Sequence, residues 1–205
     1  MKVFIIHGSF GDPEENWSPW LKAELEQAGH TVVTPQFPVE NYADIAAQLK
    51  VHPGLKSKIQ DLQVWLKAFS PYRDQVTSDT VFVAHSIAPA FVLHLLPTLP
   101  VQVRGCIFVA PFLKQVGIPE YDAVNYSFVT TPVDWKAVGE HCPRFEVIGS
   151  DDDPYVPAVY TEDVLDHLSK VAVADLSLVA GGKHFNTSAG FTEFPLVRDL
   201  ITAMG

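Results

Sequence analysis

Residues 81–90, Val-Phe-Val-Ala-His-Ser-Ile-Ala-Pro-Ala, decide how the rest of the chain is read. Val81, Phe82 and Val83 are branched or aromatic and follow the polar run Thr77-Ser78-Asp79-Thr80, the pattern of a buried strand running into a tight turn. Beyond the turn Phe91, Val92, Leu95 and Leu96 recur at helical spacing, and Pro89 falls in the first helical turn, where a missing N–H is tolerated. Ser86 is therefore expected between a strand and a helix. That is the setting of a nucleophile elbow, in which a sharp turn lifts a hydroxyl above the sheet and the next N–H, that of Ile87, receives an oxyanion. The usual Gly-x-Ser-x-Gly signature is here Ala84-His85-Ser86-Ile87-Ala88. Alanine still allows close backbone approach but lacks glycine's freedom at positive φ. On this stretch alone Ser86 has a second reading, an ordinary helix N-cap.

Outward from the elbow, short apolar runs alternate with helical patterns. Val3 to Ile6, Thr31 to Thr34, Val103 to Val109, Phe145 to Ile148 and Ala174 to Val179 read as further strands. Helices are expected from Ser18-Pro19 to Gly29, weakly over 42–50, along the face Ile59, Leu62, Trp65, Leu66 and Phe69, from Asp134 through Glu140, over 158–168 with Val159, Val164, Leu165 and Leu168 inward, and from Phe194 to about Met204. The segment 110–132 has no clear period and is expected to be a functional loop or small lid. About six alternations of strand and helix imply an α/β fold, a mostly parallel six-stranded sheet with helices on both faces and a minimal cap. Ligands then sit beyond the carboxyl ends of the strands.

Composition narrows the partners. The chain has 205 residues, nearly half of them hydrophobic, enough for one sizeable core, so residues 1–205 are read as a single soluble domain. Its 24 acidic and 14 basic residues give a formal charge of −10, which argues against nucleic acid or an anionic membrane. Only four apolar residues separate Met1-Lys2 from His7-Gly8, too few for a signal peptide, and a cytoplasmic location is expected. Cys106 lies in an apolar strand and Cys142 beside Pro143, a pattern of neither disulfides nor zinc. Neither cofactor nor metal is implied.

Chemistry-bearing residues follow several of the strand ends. His7-Gly8-Ser9-Phe10-Gly11 can turn backbone N–H groups, those of Ser9 or Phe10, toward an oxyanion, although a plain glycine turn has the same composition. Asp151-Asp152-Asp153 follows one late strand and Gly181-Gly182-Lys183-His184 the last. A serine hydroxyl needs an imidazole to take its proton and a carboxylate to hold that imidazole. The order Ser, Asp, His is that of α/β-hydrolases. His85 adjoins Ser86, but neighbours at a sharp elbow point apart, so it is not expected to be the base. Trp17, Phe112, Tyr126 and Tyr155 are candidates for a substrate pocket, with Tyr121 and Phe128 beside them; anchoring of a long loop is the alternative for the aromatics of the 110–132 segment.

From Val3-Phe4-Ile5-Ile6-His7-Gly8 through Ala84-His85-Ser86, Cys142-Pro143 and 150–157 to Gly181-Gly182-Lys183-His184-Phe185, the chain resembles the small serine hydrolases that include the retinoblastoma-binding serine hydrolase and the YdeN-like proteins. The resemblance implies a serine hydrolase of esterase type acting on a small acyl substrate, with Ser86, an aspartate of the acidic run and His184 as triad. Asp153 fits best, since the family's acid stands just before the pair leading to Val156-Pro157; Asp152 is the alternative, and Asp151 is expected to cap the turn. Two departures stand out: Ala88-Pro89 where the family often has glycine, and Lys183 extending the histidine loop. A protein-binding module with weak or no turnover is the rival reading. The altered elbow and the family's association with the retinoblastoma protein motivate it; the lack of Leu-x-Cys-x-Glu around either cysteine argues against it.

Overall fold

A computed structural model describes residues 1–205. Six strands form one sheet in the order β2-β1-β3-β4-β5-β6: β1 (Lys2–Ile6), β2 (Thr31–Val33), β3 (Thr80–His85), β4 (Gly105–Val109), β5 (Arg144–Ser150) and β6 (Val173–Val179). Every neighbouring pair is parallel. The helices are α1 (Ser18–Gln27), α2 (Tyr42–Val51), α3 (Leu62–Ala68), α4 (Ala88–Leu95), α5 (Pro119–Thr130), α6 (Trp135–His141), α7 (Ala158–Leu168) and α8 (Pro195–Thr202).

Alternation along the strands divides the core in two. Phe4, Phe82, Phe108 and Phe145 point to one face, where Trp65 of α3, Phe91 of α4 and Leu168 of α7 close over them. Val3, Val81, Ile107 and Ile148 point to the other, against Leu21 of α1 and Ile201 of α8. Successive side chains of a strand must leave by opposite faces, so near-continuous apolar runs are what a sheet covered on both sides requires. All six residues of β3 are buried. Cys106 and Cys142 are free thiols inside the core.

Three expectations change. The helix expected to include Ile59 begins only at Leu62, with Asp61 as its cap accepting from the N–H groups of Gln63 and Val64. Before it, the Ser57 hydroxyl accepts from the N–H groups of Ile59 and Gln60, a local turn that competes with helix, and Ile59 is exposed. Val159 also faces solvent, and Thr161 takes the inward position on α7. The segment read as an irregular lid contains α5, whose twelve residues make it the longest helix of the protein. Pro119 stands in its first turn, and the Asp122 carboxylate accepts from the N–H groups of Val116 and Gly117. Its inward face, Ala123, Val124, Asn125 and Phe128, has a carboxamide in the middle, which breaks the hydropathy period.

Candidate active site

β3 delivers Ser86 at a turn that places its φ at +64°. The left-handed conformation thus falls on the serine itself. Ala84 lies within β3 and Ala88 opens α4, both fully buried, so neither needs a glycine's φ. The Ser86 N–H donates to the Val109 carbonyl at 2.8 Å, tying the elbow to the neighbouring strand. Gly8 lies across the turn, where a Cβ would come within 2.8 Å of Ser86 Cβ. Only glycine lets the loop after β1 approach this closely.

β5 and β6 bring the other groups to the same rim. His184 Nδ1 lies 2.7 Å from Asp153 Oδ2, and His184 Nε2 lies 3.1 Å from Ser86 Oγ. A carboxylate only accepts, so Nδ1 carries the imidazole proton and Nε2 is left to accept from the Ser86 hydroxyl. The other carboxylate oxygen of Asp153 accepts from the N–H groups of Tyr155 (2.8 Å) and Val156 (2.9 Å), which fixes its plane. Ser86 and His184 are both buried, and the Asp153 side chain is 2% exposed.

The remaining aspartates shape the histidine loop. Asp152 accepts from the Lys183 N–H and pairs with its ammonium at 2.6 Å. These bonds from Lys183, with one from Ser150, hold its pKa down at about 2. Asp151 accepts from the Gly181 N–H at 2.9 Å. Lys183 and Phe185 adopt positive φ, 49° and 51°, so the chain bends on each side of His184. Lys183 is built into the loop and tied down by Asp152.

His85 serves this loop differently. Its Nε2 donates to the His184 carbonyl at 2.9 Å, while burial pushes its pKa down to about 3, with the His184 ring adding to the shift. It stays neutral and holds the main chain of His184. Trp17 Nε1 donates to the next carbonyl, that of Phe185, at 2.9 Å. His7 Nε2 accepts from the Phe37 N–H at 3.0 Å, so its Nδ1 is the protonated nitrogen and donates to the Gly8 carbonyl at 2.9 Å.

A cavity of about 170 Å³ opens over Ser86, and only three of its fifteen lining residues are hydrophobic. Trp17, His85, Tyr121 and Asn186 line it, with Asp12 and Glu15 also on its wall. Tyr155 stands edge-on to the His184 ring at 5.1 Å and 5.5 Å from Tyr121. Of the expected pocket residues only Trp17 and Tyr121 line this cavity; Tyr155 borders a neighbouring hollow with Lys183, His184 and Asn186, and Phe128 is buried in the core. Phe112 is buried in the core against the sheet, and Tyr126 lies beneath the Lys56 ammonium, 3.3 Å from its ring centroid. Tyr121 takes that place because α5 turns it, and not Tyr126, toward the mouth. Burial, with Tyr155 and Tyr42 nearby, pushes its hydroxyl up to about 12. The N–H groups of Ile87 and Ser9 are used by no other group, whereas that of Phe10 donates to Gln60 Oε1 at 3.2 Å. Phe10 is therefore not a free donor, and Ser9 is.

Residues 3–203 match the family model described as serine hydrolase. The chain belongs to the serine hydrolase family. The Bacillus subtilis (strain 168) protein YdeN is 30% identical over 204 residues, 98% of this chain and 95% of its own. The crystal structure of the B. subtilis ydeN gene product superposes with a TM-score of 0.81 at 28% identity, covering 99% of this serine hydrolase and 97% of that chain. Est1E from Butyrivibrio proteoclasticus shares the fold, with a TM-score of 0.64 at 16% identity over 98% of this chain and 85% of its own. The α/β-hydrolase architecture expected from the residues is thus the architecture found, and no helix is long and apolar enough to cross a membrane.

Proposed function

We propose that this serine hydrolase cleaves a small ester, thioester or amide through an acyl-enzyme intermediate formed on Ser86. The observation that carries the reading is the continuous hydrogen-bonded line from Ser86 Oγ through His184 to Asp153. As Oγ attacks the substrate carbonyl carbon, His184 Nε2 takes the hydroxyl proton, and Asp153 stabilises the imidazolium without accepting its proton. The carbonyl oxygen, now negative, is held by the N–H groups of Ile87 and Ser9, donors in place before charge develops. Collapse breaks the bond to the leaving group, which receives the proton from His184. Water then attacks the acyl-enzyme, giving a proton to His184, and the second tetrahedral intermediate releases the acid and returns the proton to Ser86.

The cavity's size and polar wall favour short, hydrogen-bonding acyl groups over long aliphatic chains. The elbow keeps its geometry with alanine on both flanks, which favours turnover over a binding module. Ser86→Ala is expected to abolish both labelling by a fluorophosphonate probe and release of nitrophenol from p-nitrophenyl acetate. Labelling that persists at another serine overturns the assignment.

A further inference from the structure

The N–H of Ser9 belongs to a loop that two buried carboxamides hold in place. Phe10, at φ +55°, donates its N–H to Gln60 Oε1 at 3.2 Å. That bond fixes which end of the Gln60 amide is oxygen, so its Nε2 is a donor, and it reaches Asn125 Oδ1 at 3.0 Å. The same Oδ1 accepts from the Ser9 hydroxyl at 2.7 Å. Gln60 is fully buried and Asn125 is 2% exposed. The chain of donors and acceptors permits one orientation of each amide, and it leaves Asn125 Nδ2 buried with no partner. An unpaired donor in the core is costly to keep. An apolar side chain would carry no such cost, so packing alone does not account for a carboxamide there. What the carboxamide provides is an oxygen shared between Ser9 and Gln60, joining the loop after β1, the turn before α3 and helix α5.

The Phe10 ring completes the arrangement. It packs edge-on against Tyr42 of α2 at 5.3 Å and Tyr121 of α5 at 5.4 Å, so the loop is gripped by ring and backbone together, and α5 contributes Tyr121 to the ring and Asn125 to the Ser9 hydroxyl.

We infer that Gln60 and Asn125 are positioning residues for the oxyanion-binding N–H of Ser9, setting its direction through the Ser9 hydroxyl and the Phe10 N–H. The inference rests on the hydrolase reading above. Its consequence is that the network acts on the tetrahedral intermediate and not on the ground-state substrate.

The test uses the full chain with p-nitrophenyl acetate and an alkyl boronic acid, whose tetrahedral adduct on serine mimics the oxyanion. Rates are normalised by active-site titration with the fluorophosphonate, so that misfolded protein drops out. Asn125→Leu and Gln60→Met are each expected to lower kcat per titrated site by about tenfold to a hundredfold, since removing an oxyanion donor outright costs about 10² to 10³, and to weaken boronic acid binding by a similar factor with KM within about twofold. Asn125→Asp keeps the shared acceptor, burial favouring the uncharged carboxyl, and is expected to retain at least a third of the wild-type kcat. Unchanged kcat per titrated site in Asn125→Leu overturns the inference, as does an equal loss in Asn125→Leu and Asn125→Asp. Failure of the hydrolase reading looks different: the wild type itself then neither titrates nor turns over.

Discussion

The two halves of the candidate site are held by different forces. At the elbow, Ala84, Ile87, Ala88, Ala90 and Phe91 are wholly enclosed, and Ser86 is aimed by packing between β3 and α4 with a main-chain bond to β4. The histidine loop lies at the surface, with Lys183 exposed, and is drawn in by three consecutive carboxylates: Asp151 on Gly181, Asp152 on Lys183 and Asp153 on His184. Packing is indifferent to salt and to mild changes of pH, whereas charge-assisted hydrogen bonds are not. Ser86, the proposed nucleophile, is thus positioned by shape, and His184, the proposed base, chiefly by charge.

The sharpest break in this contrast is at its one buried carboxylate. Asp153→Asn keeps the size but loses the charge that orients and stabilises His184, and kcat is expected to fall by about 10³ to 10⁴ in steady-state ester hydrolysis with little change in melting temperature. A loss under tenfold would assign the acid to Asp152. Gly8→Ala attacks the shape side, because the new methyl would sit 2.8 Å from Ser86 Cβ. A drop in kcat of about 10² is expected, insensitive to salt; wild-type rates would show that close approach of this loop is unnecessary.

His85 joins the halves, since it is packed at the elbow and bonded to the histidine loop. Its pKa is about 3 in the folded chain against an ordinary 6.5, so between those values the unfolded chain binds the extra proton. Its contribution to stability is complete above about pH 6.5 and falls as pH drops toward 3, by at most about 1.4 kcal/mol per pH unit. Urea unfolding between pH 7 and 4.5 should show a shallower acid decline in His85→Gln than in the wild type, by about one proton; parallel profiles would place the acid sensitivity elsewhere. The smallest effect is expected at the exposed pair. Asp152→Asn should lower kcat/KM only about twofold to fivefold at neutral pH, and 1 M salt should produce a similar loss in the wild type but little further loss in the variant. Because Asp152 is shifted down from 3.8 to about 2, its tie to Lys183 is intact above pH 3.8 and is lost only as pH falls through 2.

Much of this was legible in the residues. Apolar runs ending in Ser86, in Asp151-Asp152-Asp153 and before His184 placed all three groups beyond strand ends, because a parallel sheet sends every carboxyl end the same way. The concern over Ala84 and Ala88 dissolved once the positive φ proved to lie on Ser86. Helix α5 was hidden because Asn125 interrupts its apolar face, and with it went the phase that separates Tyr121 from Tyr126. Ile59 was drawn into a helix by spacing alone, although Ser57 and Asp61 each offered the backbone a local alternative.

By itself the order of residues determined the layered sheet, the elbow and the rim at which an alcohol, an imidazole and a carboxylate gather, since these follow from local period and chain direction. Only the tertiary structure decided that Phe10 N–H is spent on Gln60 while Ser9 N–H is free, and that Asp153 and not Asp152 meets His184. Those choices depend on hydrogen bonds between segments as much as a hundred and more residues apart, such as Ser9 and Asn125, and no local pattern encodes a partner at that distance.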